Sequence, residues 1–331
     1  MSIDFKEKRI EYLNKWPNVE PFEIEKKYYA LVEKNKKTRG TIFVPFQVLK
    51  NTDISYNKTI SFMIEAIEQI EKRPNFSYEF IFKAYDCFIN NFYTSVPQIT
   101  DKNKKLCDNE WNEILTTHPV LLDGFKKLIT IIPVKACQYL YIWLIEKNGD
   151  NKAYQRVTTD ISGGSSIASR KRKDIIDTIE QVYGADYNRY ANTIRKASLL
   201  YRYILKNNLI LIAEKNYEIE LKDRLHILVS GFLYTLRNDI MHGSSISITK
   251  SSKTTLGTYA IDYFGFLLIY YLLLFLVLNK FSSDYPEDVY DKLANNIEIN
   301  INLYKQLFGK EINNVWMRCN SCCGQIWFNI Q

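Results

Sequence analysis

Residues 237–242, which read Arg-Asn-Asp-Ile-Met-His, combine side chains that can act on a phosphodiester. A guanidinium such as that of Arg237 binds a phosphate through two parallel hydrogen bonds. An imidazole such as that of His242 can accept or donate a proton near neutral pH. Together they could cleave RNA without a metal ion. The alternative is a structural role, because Arg and His near the end of a helix often bind its exposed carbonyl groups.

The segment before this motif predicts a helix over residues 219–241 that faces the protein core. Its apolar residues fall on one stripe, as expected for a helix that packs on one side; they are Leu221, Leu225, Val229, Phe232, Leu236 and Ile240. Gly243 is a natural helix terminator, so His242 should lie at the last turn. At a helix C-terminus the protonated imidazole is favoured, which suits a general acid.

The spacing of the motif raises a geometric problem. Residues five apart in a helix point about 140° away from each other, so Arg237 and His242 of one straight helix do not converge on one phosphate. Either the helix breaks between them, or a second copy of the chain completes the site in a two-fold dimer. Asn238 precedes His242 by four residues and could orient its imidazole.

This motif resembles that of the HEPN superfamily, in which Arg and a polar residue are followed by variable residues and then His. The resemblance rests on Arg237, Asn238 and His242, with Gly243 behind them. It implies a helical-bundle, metal-independent endoribonuclease that acts as a dimer. His242 would be the general acid or base, and Arg237 would hold the scissile phosphate. Asn238 would position either His242 or the phosphate. The products would carry 2′,3′-cyclic phosphate and 5′-OH ends.

The same resemblance implies a biological setting. Members of the superfamily are commonly toxins, anti-phage defence proteins or CRISPR-linked nucleases, so an antitoxin, an activator or a defence-system protein is an expected partner beside the RNA substrate. No cofactor is expected. Some members bind RNA or protein without catalysis, and a non-catalytic module is therefore the main alternative.

Composition predicts an all-α fold. The 331 residues are 46% hydrophobic but include only 12 Gly and 8 Pro, which are the residues that break helices. The net charge of +7 is compatible with a nucleic-acid partner without requiring one. The charged N-terminal sequence lacks the apolar stretch of a signal peptide, and we expect a reduced, cytoplasmic protein.

We predict three regions along the chain. Residues 1–160 form a helical accessory region of unknown role, 161–310 the HEPN-like bundle, and 311–331 a Cys-containing tail that could dock as a strand. The polar residues 96–108 read as a loop. A Gly-Gly-Ser-Ser stretch near the boundary is typical of a flexible loop. The basic run behind it would either contact RNA phosphates or begin a solvated helix; it consists of Arg170, Lys171, Arg172 and Lys173.

Residues 259–278 contain a single charge, Asp262, and approach the ~20 apolar residues of a membrane-spanning helix. The central helix of an all-helical bundle is equally apolar on every side. We therefore favour a buried core helix, and keep a membrane-associated effector as the alternative.

The C-terminal cysteines could be half of a metal site. Cys319, Cys322 and Cys323 have zinc-like spacing, but structural zinc needs four ligands and no second pair follows. Cys107 and His118 could complete such a site only through the fold or through a partner chain. Plain reduced cysteines are the simpler interpretation, and no metal is expected.

Overall fold

The computed structural model describes residues 5–145, 151–184, 191–241, 247–251 and 254–312. Within these ranges the chain is predominantly helical, with one small two-stranded sheet. The all-α class expected from composition is thus confirmed.

The first half of the chain is a succession of helices. They are α1 (Phe5–Asn14), α2 (Glu23–Arg39), α3 (Ile54–Gln69), α4 (Pro74–Phe92), α5 (Ile99–Asp108), α6 (Glu110–Thr117), α7 (Pro119–Thr130), α8 (Val134–Ile145) and α9 (Lys152–Thr158). Local signals set several boundaries. Pro74 and Pro119 occupy the first turns of their helices, where the missing N–H costs nothing. Gly40 ends α2 in the left-handed conformation at φ 80°.

The second half contains the small sheet and the longest helices. Its elements are α10 (Ile167–Tyr183), α11 (Ala191–Lys206), β1 (Leu209–Ile212), β2 (Lys215–Glu218), α12 (Leu221–His226), a π-helical segment (Ile227–Leu233), α13 (Tyr234–Met241), α14 (Leu256–Lys280) and α15 (Val289–Ile312). The strands pair antiparallel, with Leu209 opposite Glu218.

Helix α14 is the centre of the core. Every residue from Gly257 to Leu278 is buried, because α2, α4, α6, α8 and α15 surround it. It is long and apolar enough to cross a membrane, but its apolar window is entirely covered by the rest of the protein. A helix covered on all sides has no polar face to present, which explains its composition. The buried core helix favoured from the sequence is what the structure contains.

The apolar core is continuous across residue 160, the predicted boundary between the first two regions. Helix α4 packs along α14, α7 along α15, and α8 along α11. Buried residues from Tyr28 to Ile312 form one cluster. The accessory region therefore shares its core with the bundle that carries the 237–242 motif, and it can contribute side chains to the same site.

Two segments differ from the sequence prediction, and a third has no regular secondary structure. The loop expected over 96–108 is wrong, because Ile99–Asp108 is helical and its polar side chains are bound internally; for example, Lys104 donates to the Asp160 carbonyl at 2.8 Å. The hairpin β1–β2 was not predicted, since its turn places Ala213 and Glu214 at positive φ without glycine or asparagine. Residues 41–46 form neither helix nor strand, and the Val44 carbonyl accepts from Asn300 Nδ2.

Asp262 is the one acidic residue of α14, and it lies wholly within the core. Burial raises the pKa of its carboxyl from 3.8 to about 8, although Lys135 opposes the rise. The folded state therefore holds a proton that the unfolded state releases above pH ~4. The contribution of Asp262 to the free energy of unfolding should consequently fall by roughly 1.4 kcal/mol for each pH unit between about 4 and 8, and level off above that range.

Asp262→Asn tests this prediction, because an amide has no charge to desolvate. Urea unfolding of the wild type and the variant at pH 5, 6.5 and 8 should show the variant gaining stability relative to the wild type as the pH rises. A difference that does not change with pH would contradict a neutral Asp262 in the folded protein.

Candidate functional site

The helix that carries the 237–242 motif is anchored deep in the core. Helix α12, the π-helical segment and α13 follow one another without interruption, and every residue from Ile227 to Leu233 is buried. Side chains from other helices bind the carbonyls of this segment: the Tyr78 hydroxyl donates to Leu233, and Arg156 Nε donates to Ser230 at 3.1 Å. π-helical turns occur often at functional sites. The part of the helix that precedes Arg237 is thus bound by side chains of α4 and α9.

Gly231 explains how closely this segment packs. A Cβ atom at this position would come within 3.1 Å of both Leu140 Cδ1 and Val157 Cγ2. The absence of a side chain therefore lets α8 and α9 approach the π-helical segment. This approach also places Arg156, one residue before Val157, beside the motif.

Arg237 is held by four groups at the surface end of this helix. Its Nη1 donates to Asn238 Oδ1 at 3.1 Å, and its Nη2 lies 3.6 Å from Asp86 Oδ2. The guanidinium carbon lies 5.9 Å from the centre of the Phe82 ring and 5.8 Å from that of Tyr234, both within cation–π range. A quarter of the side chain remains exposed. The guanidinium is therefore positioned by its neighbours, and the side chain remains partly exposed.

Asp86 enters the site from α4, 151 positions before Arg237. Its Oδ1 is buried and has no hydrogen-bond partner among the described residues. Burial raises the pKa of this carboxyl to about 6, while Arg237 and Lys102 act in the opposite direction. Such a group changes its protonation state near neutral pH, as acid–base catalysts do. Nothing in the local sequence around Asp86 indicates this property.

Arg156 supplies a second cation that sequence reasoning missed. Its Nη2 donates to Thr235 Oγ1 at 2.6 Å, and its guanidinium carbon lies 5.0 Å from the Tyr234 ring centre. Arg156 and Arg237 therefore both contact Tyr234. Asp239, on the far side of α13 from Arg237, interacts electrostatically with Arg156.

The structure locates two of the three predicted catalytic residues. Arg237 and Asn238 lie side by side, and Asn238 Oδ1 accepts a hydrogen bond from Arg237 Nη1. His242 lies outside the described residues, as do Cys319, Cys322 and Cys323. The predicted contact between Asn238 and His242 therefore stays a prediction.

The basic run 170–173 is mostly used inside the fold. Arg172 is 1% exposed; its Nε donates to the Val157 carbonyl at 2.8 Å, and it pairs with Asp223 at 3.4 Å. Lys171 Nζ lies 2.6 Å from Asp223, and Lys173 pairs with Asp177. An RNA-contacting role for Arg172 is inconsistent with its burial. The prediction missed this because α10 begins at Ile167, which turns Arg172 toward the core. Arg170 alone of the four is exposed without an ion pair among the described contacts.

The remaining histidines have structural contacts. His226 is buried, and its Nε2 lies 2.8 Å from Asp108 Oδ1; burial lowers its pKa, which Asp108 partly opposes. His118 stacks on Tyr290 with ring centres 3.7 Å apart. Cys107 is buried. Within the described ranges, no three His, Cys, Asp or Glu side chains are grouped so that they could hold a metal ion.

Comparison with known protein families, with characterised proteins and with solved structures finds no match to this chain. The assignment of function therefore depends on the chemistry of the site itself. Its components are a preorganised guanidinium, a second guanidinium on the same aromatic ring, and a carboxyl that titrates near neutral pH.

Proposed function

We propose that this protein is a metal-independent endoribonuclease of the HEPN type. The observation that carries the proposal is the state of Arg237, which is fixed by Asn238, Asp86 and two aromatic rings and yet remains partly exposed. A fixed guanidinium loses little entropy when it binds a phosphate, and it is ready to stabilise charge as that charge develops. The motif that continues to His242 adds an imidazole close by in sequence.

In the proposed reaction the ribose 2′-OH attacks the adjacent phosphorus, and the bond to the 5′-oxygen breaks. Arg237 binds the non-bridging oxygens of the scissile phosphate, and His242 transfers a proton. A 2′,3′-cyclic phosphate and a 5′-OH result. The ion pair with Asp86 is long at 3.6 Å, so a phosphate can compete for the guanidinium without breaking a tight bidentate contact.

The proposal extends to the assembly and setting of the protein. A homodimer would let His242 of one protomer serve the site of the other, because the two motif residues are five positions apart. A cytoplasmic toxin or anti-phage effector, regulated by an antitoxin, an activator or another defence-system protein, is the setting that the resemblance implies.

One observation favours a different candidate, a non-catalytic module that binds RNA or protein. Arg237 already has a carboxylate partner, as expected for an arginine that only stabilises the fold. Such a module would bind without cleaving, and His242 would be dispensable.

Purified wild-type and His242→Ala proteins incubated with total RNA in EDTA distinguish these candidates. We expect fragments with cyclic-phosphate and 5′-OH ends from the wild type, and cleavage slowed by about 10²–10⁴-fold in the variant. Equal cleavage by both would exclude the proposed role of His242. RNA binding by both without cleavage, at any protein concentration tested, would support the non-catalytic module.

A further inference from the structure

We propose that Asp86 is the general acid of this site, which protonates the departing 5′-oxygen; this inference rests on the proposed ribonuclease activity. Asp86 belongs to the region whose role the sequence left open. The proposal would give α4 a direct part in the reaction carried by the motif on α13.

The chemistry requires two proton transfers. One group must remove the proton of the 2′-OH as its oxygen bonds to phosphorus, and another must donate a proton as the P–O5′ bond breaks. The 237–242 motif of one chain contains two side chains that can transfer a proton, His242 and Asp239, and Asp239 interacts electrostatically with Arg156. With His242 as base, an acid is needed, and the leaving oxygen ends as a neutral hydroxyl while the acid becomes a carboxylate.

The position of Asp86 fits this task. Its Oδ2 lies 3.6 Å from Arg237 Nη2, so a phosphate bound by Arg237 comes within reach of the same carboxyl. Its Oδ1 has no hydrogen-bond partner among the described residues, and the side chain is a quarter exposed. Because Oδ1 is buried and Oδ2 faces Arg237, a phosphate bound by Arg237 would meet the carboxyl at Oδ2.

The protonation state of Asp86 also suits a general acid. Burial keeps its pKa at about 6, and the negative charge of a bound phosphate raises the pKa of a neighbouring carboxyl further. Substrate binding would thus favour protonated Asp86, which supplies the proton that the leaving 5′-oxygen takes up. The other charged groups near this place are less suited: Lys102 donates to Asn90 at 2.7 Å, and Asp239 interacts with Arg156.

The test compares Asp86→Asn with the wild type on two short RNA substrates. One contains an ordinary linkage, and the other has sulfur in place of the bridging 5′-oxygen. A thiolate leaves without being protonated, so a general acid is needed only for the oxygen linkage. We expect the variant to cleave the oxygen linkage 10²–10⁴-fold more slowly than the wild type and the sulfur linkage at the wild-type rate.

Glu79→Gln is the matched control. Glu79 lies on the same helix, is similarly exposed at 21%, and also forms an ion pair, with Lys83 at 2.7 Å. The Glu79→Gln variant should cleave both substrates at the wild-type rate. Wild-type cleavage of the sulfur linkage by Asp86→Asn would also show that the variant is folded.

Two other outcomes would contradict the role proposed for Asp86. If Asp86→Asn cleaves both linkages normally, or slows both equally, Asp86 is not the general acid, and the ribonuclease proposal stands. If the wild type cleaves neither substrate, nor total RNA, the proposed function itself fails, and the role of Asp86 fails with it.

Discussion

Replacing Arg237 with alanine should slow RNA cleavage by about 10²–10³-fold, the usual effect of removing one preorganised donor from a developing negative charge. The loss should appear mainly in kcat, since the phosphate gains charge stabilisation most in the transition state. The fold should survive. Asp86 would lose its partner, but a carboxyl whose pKa is already about 6 can become neutral in response.

Arg237→Lys sharpens this prediction. Lysine keeps the positive charge but not the planar fork that contacts Asn238 and Asp86, so most of the activity should still be lost. Arg39→Ala, at an exposed position at the end of α2, is the control and should behave like the wild type. Single-turnover cleavage and thermal melting on all three variants would check the result. Full activity in Arg237→Ala would refute a catalytic site at this helix end.

Asp223→Ala should lower the free energy of unfolding by about 3–5 kcal/mol, the typical effect of removing one member of a buried ion pair. Asp223 is fully buried, and it accepts from Lys171 at 2.6 Å and Arg172 at 3.4 Å. It also accepts from the Glu220 backbone N–H at 3.1 Å, in the capping box of α12. Its removal would leave the Arg172 guanidinium in the core with one fewer carboxylate.

Two further variants distinguish an unpaired charge from general damage to the core. Asp123→Ala removes an exposed partner of Lys127 and should leave the free energy of unfolding nearly unchanged, because water screens this pair. Replacing both Arg172 and Asp223 with apolar residues of similar size should cost less than the sum of the two single changes. Urea unfolding gives all of these values. An additive double variant would show that the pair is not coupled.

The local patterns of the sequence determined much of the fold. An apolar stripe predicted the segment 219–241 as a core-facing helix, and the nearly uninterrupted apolar run over 259–278 predicted α14 as a buried helix. Composition left two interpretations of α14, a buried core helix and a membrane-spanning helix. Its burial by five surrounding helices favours the core helix. The polar segment 99–108 was mistaken for a loop, because its lysines and asparagine are satisfied by distant partners such as Thr159 and Tyr85.

The candidate site also depends partly on local sequence and partly on tertiary packing. The sequence by itself determined that Arg237 and Asn238 stand together at the end of a helix, since their spacing is local. Only the tertiary structure decided that Asp86 and Arg156 join them, and that Arg172 faces inward. These contacts arise when helices far apart in the chain pack together. Burial then shifts the pKa of each ionisable side chain. How deeply a side chain is buried cannot be deduced from a short stretch of sequence.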